Sequence, residues 1–229
     1  MPPSEPPSAL AGAGPADPVV VVLTGGASRR MGSHKPLLEV AGRPLVARVL
    51  DAAADWPALV VGPTQGVPDG IRSVLEPVPG GGPVAGLAAA VAALPDTAPE
   101  KLVVLAADLP FVTHEHLRRL VGGLDARPST YAAGTLPERA DLAVTVTADG
   151  RTNWLCAAWR LDVLRDRLVE VGDAYGRSMR QLCADVPTAF VDDPDEVALD
   201  VDTPADLDRA RGRADGAAGA AGGSEKSGS

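Results

Sequence analysis

Residues 18–36 read PVVVVLTGGASRRMGSHKP, and this stretch decides the fold. Val19 to Leu23 form a continuous apolar run rather than an alternating one, the pattern of a strand buried on both faces. Three glycines (Gly25, Gly26, Gly32) and three cations (Arg29, Arg30, Lys35) follow it. Glycines let backbone N–H groups approach phosphate closely, and the cations add charge. An exposed basic loop is the plainer alternative. Five residues separate Gly26 from Gly32 and Lys35 lies beyond, so the spacing is neither GxxxxGK[ST] nor GxGxxG. Neither a Walker loop nor a dinucleotide redox fold is indicated.

Outward from this stretch, short β-branched runs alternate with Ala- and Leu-rich segments. Residues 44–54 predict a helix with Pro44 in its first turn, 58–61 and 71–75 strands, 84–94 a helix opened by Pro83, and 102–106 a buried strand. Thr113, with Glu115 and His116 behind it, predicts the cap of a helix ending at Gly122 and Gly123. Strands follow over 142–147 and 154–158, helices over 161–169 and 178–184, a strand near 197–201, and a Pro204-led helix to Arg211. Such alternation predicts an α/β fold, a Rossmann-like three-layer sandwich around a mostly parallel (mixed) sheet. Ligands of these sheets sit beyond the carboxyl ends of the strands. Residues 1–17 read as a disordered leader, 18–212 as a single domain and 213–229 as a flexible tail.

Composition excludes several classes. With 45% hydrophobic residues, the chain is long enough to bury a core without disulfide or metal staples. No apolar run approaches the ~18 residues of a membrane span, and the opening MPPSEPPSAL lacks the pattern of a secretory signal. Cys156 and Cys183 lie outside any CxxC spacing, which removes a disulfide framework. A cytoplasmic protein is expected. Its net charge of -9 argues against general nucleic-acid binding, which needs a basic face. That charge is segregated: residues 18–38 hold no acid, while 192–208 hold eight acids and no base. One place for an anion and another for a cation are implied.

Three further segments carry candidate chemistry. EPVPGGGPVAGL (76–87) is a Gly/Pro loop ending at a helix start, which lets backbone pass close to a flat base or ribose; a plain connection is the alternative. Asp108 ends the apolar run 102–107, where an acid is costly unless it has a partner. It can hold Mg2+ against a phosphate, or cap the next helix. Asp200 and Asp202, two apart on the expected strand, project to one face. Asp202 also suits an N-cap, and Asp206 and Asp208 read as a solvated first turn. His114 and His116 have no third ligand nearby, which disfavours zinc. Trp154 and Trp159 read as core or pocket wall.

These motifs together resemble the nucleotidyltransferases with the LAGGxSxRMGxxK pattern, in particular the molybdenum cofactor guanylyltransferase (MobA) branch. The resemblance spans about residues 18–210, with its motifs in order: LTGGASRRMGSHKPLL, the GPxAG ending at 82–86, the xDxP around Asp108, GRSMR at 176–180, and DVDTPADL at 200–207. It implies a GTP site of Leu23, Thr24, Gly25, Gly26, Lys35, Gly62, Glu76, Gly82, Gly86 and Asp108. It implies catalytic roles for Arg30, Lys35 and Asp108, and Mg2+ held by Asp108 with Asp200 or Asp202. Arg177 and Arg180 would meet the acceptor's phosphate, and Arg151 and Asn153 stand where relatives carry substrate-contacting polar residues. The chain has His34, Gly62 and Glu76 where the family carries Asp, Asn and Asp.

The implied reaction is Mg2+-dependent transfer of GMP from GTP to the phosphate of molybdopterin or its molybdenum-loaded form. Implied partners are GTP, that acceptor and a molybdoenzyme or cofactor-insertion protein, with neither nucleic acid nor membrane, the chain being a monomer or weak oligomer. Transfer to another acceptor, with CTP or onto a sugar phosphate, and a non-catalytic nucleotide-binding module are the alternatives.

Overall fold

The computed structural model describes residues 17–25, 35–130 and 136–222, with Lys35 and 218–222 described by backbone alone. In chain order the elements are β1 (Val19–Leu23), β2 (Glu39–Val40), β3 (Arg43–Pro44), α1 (Leu45–Ala52), β4 (Ala58–Val61), β5 (Arg72–Val74), α2 (Pro83–Ala93), β6 (Lys101–Ala106) and α3 (His114–Gly123). Then come β7 (Leu142–Thr147), β8 (Thr152–Arg160), α4 (Leu161–Val171), α5 (Met179–Leu182), β9 (Thr188–Asp193) and α6 (Pro204–Gly222).

The valine run behaves as its pattern dictates: every residue of β1 is buried. It lies inside a seven-stranded sheet of order β5-β4-β1-β6-β8-β7-β9. β8 is antiparallel to β6 and β7, and the remaining pairings in this sheet are parallel. Successive β1 side chains point to opposite faces. Val20 and Val22 pack with Val46 and Val49 of α1 and with Leu117 and Leu120 of α3. Val19, Val21 and Leu23 pack with Val84 and Leu87 of α2, Leu164 of α4 and Leu182 of α5. Helices therefore cover both faces, and the expected three-layer sandwich around a mixed, mostly parallel sheet is the observed fold. Among the described residues, no helix is long and apolar enough to cross a membrane.

Four differences from the sequence expectation have physical causes. The last strand is β9 at Thr188–Asp193, pairing with β7, and residues 197–201 form no strand. The inward residues there, Ala198 and Val201, are three apart, so they cannot share one face of a strand. A two-stranded hairpin, β2–β3, was too short to give a periodic signal. Its turn residues Ala41 (φ 52) and Gly42 (φ 70) both take positive φ, which suits a tight hairpin turn. α6 runs past Arg211 to Gly222, because alanines sustain a helix through glycines that had read as tail. Expectations for residues 1–16 and 223–229 lie outside the described residues.

A third, smaller core fixes the parts nearest the strand ends. Val40 of the hairpin, Leu45 of α1, Leu207 and Ala210 of α6, and Val201 are buried together against Phe111. Arg48 and Arg213 both lie over the Phe111 ring, at 5.8 and 4.3 Å from its centroid. The hairpin, the segment after Asp108 and α6 are thus packed against one another.

His116 of α3 is 1% exposed, and its Nε2 donates to Thr145 Oγ1 at 2.8 Å while that hydroxyl donates to the Cys156 carbonyl at 2.9 Å. Nδ1 has no hydrogen-bond partner among the described residues. Burial holds the imidazole below its ordinary 6.5, outweighing the attraction of Asp193. The unfolded chain therefore takes up a proton below about pH 6.5 that the folded chain resists. Stability from this site is whole above that value and drains as pH falls below it, by up to about 1.4 kcal/mol per pH unit. Thermal unfolding between about pH 7 and 5 is expected to show a shallower decline for His116→Gln than for the parent chain. Equal slopes would remove His116 as the source.

Candidate active site at the carboxyl ends of the strands

β1 hands the chain to Thr24 at the sheet's carboxyl edge. Leu23 stands opposite Val61 of β4 and Ala106 of β6, so the three parallel strands end level. The chain moves from β1 outward through β4 and β5, then returns to the other side of β1 with β6. Strand order therefore reverses between β1 and β6, the place where such sheets open a ligand crevice. The glycine-rich loop leaves from one side of that crevice and Asp108 from the other.

The β1 side is fixed by close packing. Thr24 is 3% exposed; its N–H donates to the Val61 carbonyl at 2.9 Å. Its hydroxyl lies 3.0 and 2.8 Å from the carbonyls of Val61 and Pro63. Gly62 has φ +112, and a Cβ there would lie 2.8 Å from Thr24 Oγ1 and 2.9 Å from Gly25 N. Only glycine permits this approach. Glu76 fills the space beyond. Its Oε1 would meet a Cβ on Gly25 at 3.2 Å or on Gly86 at 3.4 Å, and its Oε2 accepts from Gly81 N at 3.1 Å. Gly82, at φ +85, opens α2 with Pro83 behind it. Leu23, Thr24, Gly25, Gly62, Glu76 and Gly86 are therefore brought together, with a carboxylate between two glycines, and Gly82 begins the helix that carries Gly86. Lys35 begins a 3-10 turn, Lys35–Leu37, on the same strand connection, with only its backbone described. Gly26 and Arg30 lie outside the described residues.

The opposite wall carries acid. Asp108 follows β6, and its carbonyl accepts from Val201 N at 3.1 Å, which lays residues 200–202 across the strand end. A strand does not present Asp200 and Asp202, as expected from sequence, but this crossing segment does. Burial, then the neighbouring Asp202 and Asp108 carboxylates, pushes the Asp200 carboxyl up to about 6. Among the described residues no three His, Cys, Asp or Glu side chains form a ready-made metal cage. The donor set nevertheless suits a hard divalent cation, because Mg2+ is normally held by one or two carboxylates with phosphate oxygens and waters completing the shell. Asp206 departs from the solvated role expected of it. Its Oδ2 accepts from Asp202 N (3.1 Å), Thr203 N (2.7 Å) and Thr203 Oγ1 (2.8 Å), and Asp206 N donates back to Thr203 Oγ1 at 3.2 Å. This is a capping box that leaves the Asp202 side chain out of the cap.

Beside the acids lies an open cleft of about 610 Å³. Thr147, Asp149 and Arg151 of the β7–β8 turn form one side, Ser178, Met179 and Arg180 another, and Leu199, Asp200 and Asp202 a third, with Trp154 and Leu155 in the wall. Two arginines and three carboxylates line it beside an aromatic ring and aliphatic surface, with Arg151 Nε paired to Asp149 at 3.1 Å. Arg180 reaches this cleft, whereas Arg177 Nε donates to the Asp173 carbonyl at 3.2 Å. Asn153 is already committed: Nδ2 donates to Ala198 O at 2.9 Å and Oδ1 accepts from Leu155 N at 3.0 Å. Trp159 is fully buried core. Sequence reasoning missed Asp193, a carboxylate 1% exposed whose oxygens accept from Val197 N at 3.0 Å and Ala198 N at 2.8 Å. The pair of acids before Pro194 was its signal.

Comparison with known proteins shows the family and the fold. A family model described as "MobA-like NTP transferase domain" matches residues 20–189. The chain is 33% identical to a molybdenum cofactor guanylyltransferase of Rhodopseudomonas palustris over 84% of its own length and 91% of that protein's. It is 30% identical to one from Rhodobacter capsulatus, covering 84% and 94% respectively. The solved structure of molybdopterin-guanine dinucleotide biosynthesis protein A from Archaeoglobus fulgidus shares the fold, with a TM-score of 0.65 at 22% identity, over 86% of this chain and 99% of that one.

Gly62→Ala introduces positive-φ strain and a collision with Thr24 and Gly25. A loss of about 2 kcal/mol in urea unfolding is expected. An unchanged midpoint would show that the Thr24 turn is free to move.

Proposed function

Because the chain belongs to the family of MobA-like NTP transferase domains, and is therefore a nucleotidyltransferase, we propose that it transfers GMP from GTP to the terminal phosphate of molybdopterin or its molybdenum-loaded form. The observation that carries this reading is that Asp108, at the end of β6, meets the segment 200–202, and that Asp200 and Asp202 of this segment line the cleft with Trp154, Arg151 and Arg180. The glycines around Glu76 stand at the end of the neighbouring strand β1.

In this reading the GTP base enters between the Gly80–Gly82 turn and Gly86. Glu76, a fixed acceptor carboxylate, suits the N–H edge of guanine, which offers adjacent donors. The triphosphate runs over Thr24 and Gly25 towards Lys35 and Arg30, whose charges oppose its own. An oxygen of the acceptor phosphate forms a bond to the α-phosphorus of GTP, the α–β bridging bond breaks, and pyrophosphate departs. Little covalent work falls to the protein; positioning and charge compensation dominate. Asp108 with Asp200 or Asp202 would hold Mg2+, which when bound supplies neutralisation of phosphate charge. The acceptor's ring lies along Trp154 and Leu155, and Arg151 and Arg180 face its phosphate. Cys156 and Cys183 are buried free thiols pushed up to about 12 by burial, which suits the reducing cytoplasm this reading assigns.

Pyrophosphate release with Mg2+ and GTP, with and without molybdopterin, tests the proposal directly. Acceptor-dependent release is expected, and a folded sample releasing none in either case would return the chain to a binding module. GTP with Mg2+ should raise the thermal midpoint more than CTP, ATP or UTP does, since binding to the folded state alone stabilises by mass action. Equal stabilisation by CTP would overturn the guanine assignment. Asp108→Ala is expected to lower turnover by at least about 10³-fold with the fold retained. Near-normal release from that variant would overturn the metal assignment.

A further inference from the structure

The arm that brings Asp200 and Asp202 to Asp108 has no strand or helix of its own. It lies where carboxylates crowd one another, so like-charge repulsion pushes it away from the strand end. Three side chains oppose that push. Asp193, at the end of β9, accepts from Val197 N and Ala198 N at 3.0 and 2.8 Å. Asn153 of β8 donates to the Ala198 carbonyl at 2.9 Å, so both backbone groups of Ala198, two residues before Asp200, are gripped. Arg213 of α6 donates to the carbonyls of Asp195 and Glu196 at 2.8 Å each, and its guanidinium stacks over Phe111, three residues beyond Asp108. Glu196, at φ 51, sits in the left-handed region disfavoured for a side chain of its kind, and the Arg213 bond holds its carbonyl there.

A solvated surface loop needs none of this. Burying the Asp193 carboxylate costs several kcal/mol unless its oxygens are satisfied, and here both are satisfied by the amides of this one arm. Arg213 ties the same arm to the segment following Asp108.

We propose that Asp193, Asn153 and Arg213 are positioning residues that hold the arm 194–202 so that Asp200 or Asp202 presents its carboxylate beside Asp108 to a divalent cation. The proposal rests on the metal-dependent reading above and deepens it. They act through the backbone of the arm; Asn153 also lines the cleft assigned to the acceptor, whereas Arg213 and Asp193 are not among its lining residues.

The test uses the full chain and the variants Asn153→Ala and Arg213→Ala. Arg213 is exposed on α6, so its variant keeps the fold even if the other does not. Mn2+ affinity is read without nucleotide from the free-ion electron paramagnetic resonance signal, amide exchange is read across 194–202, and the Mg2+ dependence of pyrophosphate release is measured separately from the KM for GTP. Both variants are expected to bind Mn2+ about tenfold more weakly, and to need about tenfold more Mg2+ for half-maximal release. KM for GTP at saturating Mg2+ should change by less than about twofold. Faster exchange confined to the arm accompanies these changes. Faster exchange with Mn2+ affinity within about twofold of the parent would make the contacts merely structural and overturn the proposal. So would a parent chain that binds no Mn2+. A parent chain that releases no pyrophosphate, yet loses Mn2+ affinity in both variants, would support the clamp and overturn the reaction instead.

Discussion

Everything in this molecule depends on β1 being sandwiched between two parallel neighbours. Its five residues have no exposed face, so β4 and β6 must lie on either side, and their register sets Leu23 level with Val61 and Ala106. The ladder runs on just past those ends, where the N–H groups of Thr24, Gly62 and Ala107 donate to the carbonyls of Val61, Val74 and Leu23. Beyond them lies the strand-order reversal between β1 and β6, where such sheets open a ligand crevice.

Close approach on one side and charge on the other divide the labour of that crevice. Gly62 has no side chain because Thr24 and the Gly25 backbone occupy the space a Cβ would need, and Gly25 and Gly86 leave the Glu76 carboxylate its place between them. The acidic wall is built differently. Its carboxylates come from the end of β6 and from a crossing segment that owes its path to hydrogen bonds with Asp108, Asp193, Asn153 and Asp206. Small residues shape the first wall, and polar side chains spent on backbone shape the second. Their difference explains why a substitution such as Gly62→Ala acts by collision, while Arg213→Ala acts by release.

Legibility in the sequence followed the same division. β1, β4, β6 and β7 could be read because a buried strand announces itself by an unbroken or alternating apolar run. The capped helices α2 and α3 could be read from Pro83 and Thr113. The hairpin β2–β3 and strand β9 could not: two-residue strands have no period, and β9 is an edge strand with Phe190 partly exposed. The segment 197–201 misled because its apolar residues serve two cores, Ala198 the large one and Val201 the small one, rather than one face.

By itself the sequence determined the sheet's parallel half, the glycine-rich connection after β1, the placing of an acid after β6 and the segregation of charge between residues 18–38 and 192–208. Those features are local: periodicity, a turn or a spacing specifies each. Only the tertiary structure decided that Glu76 stands between Gly25 and Gly86, that Asn153 is occupied by Ala198, and that Asp193 and Arg213 steer the acidic arm. Glu76 and Gly25 are 51 residues apart in the chain, Asn153 and Ala198 45, and Arg213 and Glu196 17. No local pattern encodes such contacts, because they arise only when separate elements, each folded for its own reasons, are pressed against one sheet.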